Sequence, residues 1–449
     1  MIQAIQKKLS DSPAVRWCVL GIVSVTMLCG YFITDVMAPL QSMLEENFGW
    51  DGTEYGLFTG SYGWFNVTLF MLIIGGIILD KKGMRFTGVL SCGLMLVGCA
   101  IKYYAVSPFF TLEGMLFGVK IQVLTACLGF AIFGVGVETC GVTVTKIIAR
   151  WFRGKEIALA MGLQVATARI GTALALSATI HVAKYFDEIS MPVLLGLLLL
   201  CIGLIAFLIF CVMDRKLDAS LDDNGKEPED SFRISDIFVI IRNRGFWLIA
   251  ILCVLFYSAV FPFLKFATSL MINKYGVEED LAGSIPSLLP YGTILLTPLF
   301  GNLYDKIGKG AGIMIFGSLL LVVVHTLFAL PILNVWWFAA IIMIMLGIAF
   351  SLVPSAMWPS VPKIIPQNQL GTAYATIFWV QNIGLSGVPM LIGWVLKNYC
   401  RTGNPELPYD YTLPMIIFTC FGILAVFVAY LLKAEDRKKG YGLEKPNIK

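Results

Sequence analysis

The chain has 449 residues, 58% of them hydrophobic and 14% charged, with a mean hydropathy of +0.81 and a formal net charge of +4. That apolar content excludes a soluble globular domain and identifies a polytopic membrane protein. The positive excess sits in loops beside apolar runs and forms no basic stripe, which excludes a nucleic-acid partner.

A helix of about 20 mostly apolar residues crosses a bilayer. The sequence predicts about twelve, near 17–40, 55–79, 87–106, 120–147, 157–183, 191–213, 246–272, 282–304, 311–331, 335–357, 370–396 and 411–432. The first follows Arg16 without a small-residue cleavage site behind it and reads as a retained span. One side of the spans carries Lys7, Lys8, Arg16, Lys81, Lys82, Arg85, Arg150, Arg153, Lys155, Arg215, Lys216, Arg242, Arg244, Lys306, Lys309, Lys363, Lys433, Arg437, Lys438 and Lys439. The other has mainly Lys102, Lys120, Lys184, Lys274, Lys397 and Arg401, diluted by acidic residues, so both termini are expected in the cytoplasm.

The second span ends in GGIILDKKGMR (75–85) and the eighth in FGNLYDKIGKG (300–310), which share G-x-x-x-D-K-x-G. Further pairs are ENFGW (46–50) with NKYGV (273–277), TKIIARWF (145–152) with PKIIPQNQ (362–369), and TARIG (167–171) with VQNIG (380–384). The one long polar interruption lies near 213–236. The sequence therefore divides into an N-terminal six-helix half (1–213), a cytoplasmic linker (214–244) and a C-terminal six-helix half with a basic tail (245–449). Two parallel halves around an axis along the membrane normal, with a central cavity, are a secondary-transporter plan. In the repeated loops, Asp80 with Arg150 or Arg153, and Asp305 with Lys363, are expected cytoplasmic latches.

Four ionisable residues lie inside apolar runs: Asp35, Glu138, Arg169 and Lys265. At a rise of about 1.5 Å per residue, Glu138 and Arg169 stand roughly 18–21 Å from the cytoplasmic ends of consecutive antiparallel spans, so they are expected to meet near the midplane. Asp35 and Lys265 stand higher, roughly 28–32 Å along spans one and seven, as an outer latch or as binding groups. Tyr62 and Asn66 on span two, Gln164 on span five, Tyr291 on span eight, Ser355 and Trp358 on span ten, and Trp379, Gln381 and Asn382 on span eleven are expected to line the cavity.

Nearly all of the 11 cysteines fall within apolar runs, with no disulfide framework or CxxC pair. Neither His181 nor His325 has a ligand at metal-binding spacing, so no metal or other cofactor is expected. No nucleophile and base set or phosphate-binding loop is visible, which argues against an enzyme.

The doubled loop and twelve spans resemble the major facilitator superfamily over the whole chain. More narrowly, GYFITDVMAPLQ (30–41), SYGWFNVTLFMLIIGGIILD (61–80), GVET (136–139), WFRGKEIALAMGLQVATARIG (151–171), AVFPF (259–263), SAMWP (355–359) and NQLGTAYATIFWVQNIGL (368–385) are similar to its lysosomal dipeptide transporter branch. The resemblance implies an all-α membrane protein of two pseudo-symmetric six-helix bundles that moves dipeptides. It puts the acidic residue of span four and the arginine of span five, here Glu138 and Arg169, at the substrate. A zwitterionic peptide presents an ammonium suited to a carboxylate and a carboxylate suited to arginine's planar fork.

The expected function is therefore alternating-access transport of dipeptides or similar small zwitterions, uniport or proton-coupled, by a monomer in the lipid bilayer. No accessory subunit can be read from the sequence. An organic-anion transporter of the same fold would need a positive cavity, whereas Glu138 and Asp35 balance Arg169 and Lys265. A non-transporting receptor or scaffold would need a sizeable extramembrane domain. Short outer loops fit a cell (plasma) membrane, with the lysosomal membrane the alternative.

Overall fold

The computed structural model describes residues 12–152, 156–219, 240–366, 369–404 and 407–446. Helix α1 (Pro13–Asp35) begins on a proline, whose missing N–H costs nothing in a first turn. It stops at Asp35, and the chain continues through a 3-10 turn (Ala38–Leu40) into α2 (Gln41–Phe48), so the first span is broken beside a charged residue. The second span is pieced from α3 (Gly52–Ser61), α4 (Trp64–Thr68) and the start of α5 (Met71–Val106). Helix α5 bends sharply at Gly83, whose φ is 81°. Spans four to six are α6 (Ile121–Trp151), α7 (Ile157–Phe186) and α8 (Met191–Ala219).

The second half repeats the plan. Its first span is broken at Ala259–Val260 into α9 (Arg244–Ser258) and α10 (Phe261–Tyr275), the latter with Pro262 in its first turn. A short α11 (Glu279–Ala282) precedes α12 (Ser284–Ile307), followed by α13 (Gly310–Ala329), α14 (Trp336–Ile364), α15 (Leu370–Tyr399) and α16 (Thr412–Lys439).

Among the described residues, ten helical stretches are long and apolar enough to cross a membrane. The second expected span is shared out among α3, α4 and α5, and the eighth, α12, carries Pro290, Pro298, Asp305 and Lys306, which accounts for the difference from twelve. The repeated loop has a backbone reason. Its closing glycines, Gly83 and Gly308, have φ of 81° and 65°, a region costly for any side chain, so the same tight turn needs the same residue in each half. Of the expected linker, residues 220–239 lie outside the described residues, and α8 runs on to Ala219. Among the described residues the only paired strands are a small hairpin, Met115–Leu116 with Val119–Lys120, between spans three and four.

Helices α1, α5, α6, α7 and α8 pack on one another, as do α9, α12, α13, α14, α15 and α16. The two sets meet chiefly where α3 lies on α15 and α7 on α12. The first seam is built from small residues. A Cβ added to Gly56 would stand 2.5 Å from the Pro389 carbonyl oxygen, and one added to Gly60 would stand 2.4 Å from that of Ser386. Only glycine lets the backbones come that close, which is how membrane helices gain contact without a hydrophobic drive.

Candidate substrate cavity

Between the two sets lies a cavity of about 940 Å³, lined by spans one, two, four, five, seven, eight, ten and eleven. It runs from Asp35 and Lys265 at its outer end to Leu159, Met161, Asn302 and Asp305 near the cytoplasmic ends of spans five and eight. The outer end is closed. Lys265 Nζ lies 2.5 Å from Asp35 Oδ1 and donates to the Thr34 carbonyl at 2.6 Å, while the Tyr55 hydroxyl donates to the Lys265 carbonyl at 2.7 Å.

Farther out, Lys184 pairs with Glu279 and Asp280 at 2.7 Å each, Lys397 with Asp51 at 2.8 Å, and Arg401 with Glu45 at 2.7 Å. Burial works against the Asp51 carboxylate, yet hydrogen bonds from Lys397 and the Glu54 backbone hold its pKa below the ordinary value. The hydrogen bond from Lys184 does the same for Asp280. At the cytoplasmic end, Arg16–Glu156 at 3.0 Å, Lys146–Asp80 at 3.1 Å, Arg150–Asp214 at 3.2 Å and Lys433–Glu444 at 3.4 Å each stay within one half. Among the described residues the named ion pairs tie the halves together at the outside, and the cavity reaches the cytoplasmic ends of spans five and eight, an arrangement that faces inward.

Glu138 and Arg169 both line this cavity but do not pair with each other, contrary to the expectation from their depth. The Tyr62 hydroxyl donates to Glu138 Oε1 at 2.6 Å. The Arg169 guanidinium lies against three rings, with its carbon 5.7, 5.2 and 5.0 Å from the centroids of Tyr31, Phe261 and Phe350. A short charge-assisted hydrogen bond satisfies the carboxylate and ring quadrupoles satisfy the cation, so neither needs the other.

The other expected residues divide. Asp35 and Lys265 face each other across the halves, and Tyr62, Ser355, Trp358 and Gln381 line the cavity. Asn66 and Asn382 do not. They are 0% and 1% exposed and meet between α4 and α15, where the Asn66 amide donates to Asn382 Oδ1 at 3.5 Å and the Asn382 amide donates to the Phe378 carbonyl at 3.0 Å, away from the ligand space. Trp379 sits with them, donating to the Val67 carbonyl at 3.2 Å and stacking on Phe70. Gln164 is outside the cavity lining, and Tyr291, 41% exposed, turns to the outer face of α12.

The residues of the expected latches also meet other partners among the described residues. Asp80 takes Lys146, because Arg150, one turn further along α6, is held by Asp214 and Asp218 at the end of span six. Lys363 donates to the carbonyls of Gly442 and Lys445, and Asp305 stands at the inner mouth of the cavity. Arg153 lies outside the described residues.

Two features escaped sequence reasoning. The first is a set of rings lining the second half's side of the cavity: Tyr257, Phe261, Phe350 and Phe378 beside Trp358. In the sequence they look like any membrane-packing aromatics. The second is Lys102, expected among the outer-loop charges but 0% exposed, its ammonium donating to the Ile33 carbonyl at 2.9 Å and lying 4.7 Å from the Phe130 ring.

The sequence pattern of the Major Facilitator Superfamily matches residues 20–389 and 264–447. The chain belongs to this superfamily. It is an all-α, multi-pass membrane transporter and not an enzyme. The lysosomal dipeptide transporter MFSD1 of Mus musculus is 28% identical over 396 residues, 86% of this chain and 81% of the relative. The protein of the same name from Homo sapiens is 27% identical over 378 residues, 82% of this chain and 77% of its own. Among solved structures, a mutant of the nucleoside transporter NupG superposes with a TM-score of 0.70 at 15% identity, covering 92% of this chain and 99% of its own. A bacterial homologue of the human lysosomal transporter Spinster, inward-facing and occupied, gives 0.69 at 14% identity, covering 95% and 98%. At those identities the structures speak for the fold alone.

Proposed function

We propose that the chain carries dipeptides or similar small zwitterions across its membrane by alternating access. The observation that carries the reading is the separation of Glu138 from Arg169 within one cavity. Two side chains of opposite type, each held by neutral neighbours and not by the other, present separate seats for an ammonium and a carboxylate. The MFSD1 relatives, named as dipeptide transporters, support the same substrate class. With Asp35, Lys265 and, at the inner mouth, Asp305, the lining carries three acidic and two basic side chains, which favours a zwitterion over an organic anion.

In this mechanism the halves 1–213 and 245–449 rock about the cavity, joined through 214–244. A peptide bound from the cytoplasmic side seats its ammonium at Glu138 and Tyr62 and its carboxylate at Arg169. Since Phe261 and Phe350 belong to the second half and Arg169 to the first, the arginine sits where a bound carboxylate and the opposite half are felt together. Opening the outer side breaks Asp35–Lys265, Lys397–Asp51, Arg401–Glu45 and the Lys184 pairs.

The test is uptake of a dipeptide mixture into proteoliposomes by the wild type and by Arg169→Ala, with and without a pH gradient. Uptake lost in the variant supports the reading, and indifference to the gradient assigns uniport over proton coupling. No uptake by the wild type under any gradient overturns it.

A further inference from the structure

The two walls of the cavity differ in chemistry. On the first half's side the hydroxyls of Thr34, Thr59 and Tyr62 surround the Glu138 carboxyl, Tyr31 lies beside Arg169, and the apolar Leu159, Met161 and Leu163 lie apart from them toward the cytoplasmic mouth. On the second half's side the rings form one continuous surface. Phe261 and Phe350 have centroids 5.3 Å apart, Tyr257 lies 5.7 Å from Phe350, the Trp358 indole N–H donates to the Tyr257 hydroxyl at 3.0 Å, and Trp358 lies 5.1 Å from Phe378. These five rings come from spans seven, ten and eleven, and Arg169 rests on the near end of their surface, against Phe261 and Phe350.

We infer that the ring surface selects the side chain of the substrate's C-terminal residue, and that the transporter therefore distinguishes a dipeptide from its own reversed sequence. The inference rests on the peptide reading above. In a peptide the α-carboxylate is bonded directly to the Cα that bears the C-terminal side chain. Seating that carboxylate on Arg169 fixes this side chain within reach of rings whose centroids lie about as far from the guanidinium carbon as a carboxylate's own Cα. The amino terminus is about two residues away, roughly 7 Å in an extended chain. It faces Glu138, and the N-terminal side chain meets the hydroxyl-lined wall. An aromatic or bulky aliphatic C-terminal residue gains offset or edge-on ring contact and burial on the one wall. The same side chain at the amino end displaces water from threonine and tyrosine hydroxyls without replacing their hydrogen bonds.

The experiment compares initial uptake rates of Ala-Phe and Phe-Ala, with Ala-Ala as reference, in proteoliposomes of the intact chain. The two peptides share composition, charge and hydrophobicity, so only their orientation in the site separates them. Ala-Phe is expected to be carried with about tenfold higher kcat/KM, the discrimination a single apolar contact supplies. Phe378→Ala, at the far end of the ring surface from Arg169, and Phe350→Leu should each bring the ratio toward one. Because both peptides are measured on the same variant, loss of folded protein lowers both rates and leaves their ratio intact. Equal rates for the two peptides, or a preference for Phe-Ala, while Ala-Ala is carried, would overturn the inference and leave the peptide reading standing. Failure to carry all three would overturn the peptide reading, and this inference with it.

Discussion

Gly56→Ala should hold the transporter away from its inward-facing state. Gly56 lies in α3 on the seam with α15, where an added Cβ would stand 2.5 Å from the Pro389 carbonyl oxygen and 2.8 Å from the Gly393 Cα. Both are backbone atoms, so no side chain can turn aside, and the helices must part by roughly 1 Å to restore ordinary contact. Overpacking of this kind costs about 1–3 kcal/mol, which corresponds to a shift of roughly 5- to 150-fold in a two-state equilibrium. That cost falls only on the state in which the outer seam is closed. The assay is labelling from the outside by a membrane-impermeant maleimide at Thr59→Cys, a cavity position shielded from that side here, after the exposed Cys18, Cys201 and Cys420 are replaced by serine. Labelling should rise with Gly56→Ala and stay at the starting level with Gly162→Ala, where an added Cβ meets nothing within 4 Å. Equal labelling of the Gly56→Ala and unsubstituted proteins would refute the reasoning.

Other expectations concern single groups. Lys265→Ala strands the Asp35 carboxylate, 7% exposed, without its ammonium, and losing one member of a buried pair costs roughly 3–5 kcal/mol. The melting temperature in detergent should fall and recover in Asp35→Asn/Lys265→Met, whereas an undiminished single variant would contradict the latch. Tyr62→Phe removes the hydroxyl that donates to Glu138; a hydrogen bond to a charged group contributes about 1.5–3 kcal/mol, so uptake kinetics should show a half-saturation changed by about tenfold or more. The lowered carboxyls of Asp51 and Asp280 contribute to outer closure above the ordinary carboxylate value of 3.8, and that contribution is lost as pH falls through their lowered values. Outside labelling at Thr59→Cys, read after a pH pulse, should therefore hold steady from pH 7 to 5 on their account. A rise within that window that Asp51→Asn/Asp280→Asn abolishes would contradict the assignment.

What could be read in the sequence was what depends on local pattern. Apolar runs gave the spans, and G-x-x-x-D-K-x-G gave its turn, because the positive φ of Gly83 and Gly308 is a requirement of the residue itself. The helical rise placed Glu138 and Arg169 at one cavity because depth depends on chain length alone. Partner choice was not legible. Tyr62 reaches Glu138, and rings from spans one, seven and ten reach Arg169, only through the packing of helices far apart in sequence. The same holds for Lys146 standing at Asp80 in place of Arg150, and for Asn66, whose amide donates to Asn382 instead of facing the cavity. Lys102 was misplaced because a charge count assigns lysines near span ends to water. In the fold its ammonium finds the Ile33 carbonyl and the Phe130 ring inside the bundle.

In the proposed mechanism, Glu138 and Arg169 read the two ends of a peptide. Its most direct test is the affinity of the purified protein for Ala-Ala, N-acetyl-Ala-Ala and Ala-Ala-amide, followed by intrinsic tryptophan fluorescence. Blocking either terminus should weaken binding by about tenfold or more, as expected for a lost charge-assisted contact. Glu138→Gln should then lose its preference for the free amine while keeping that for the free carboxylate, and Arg169→Ala the reverse. Equal affinity for the free and blocked peptides would contradict it.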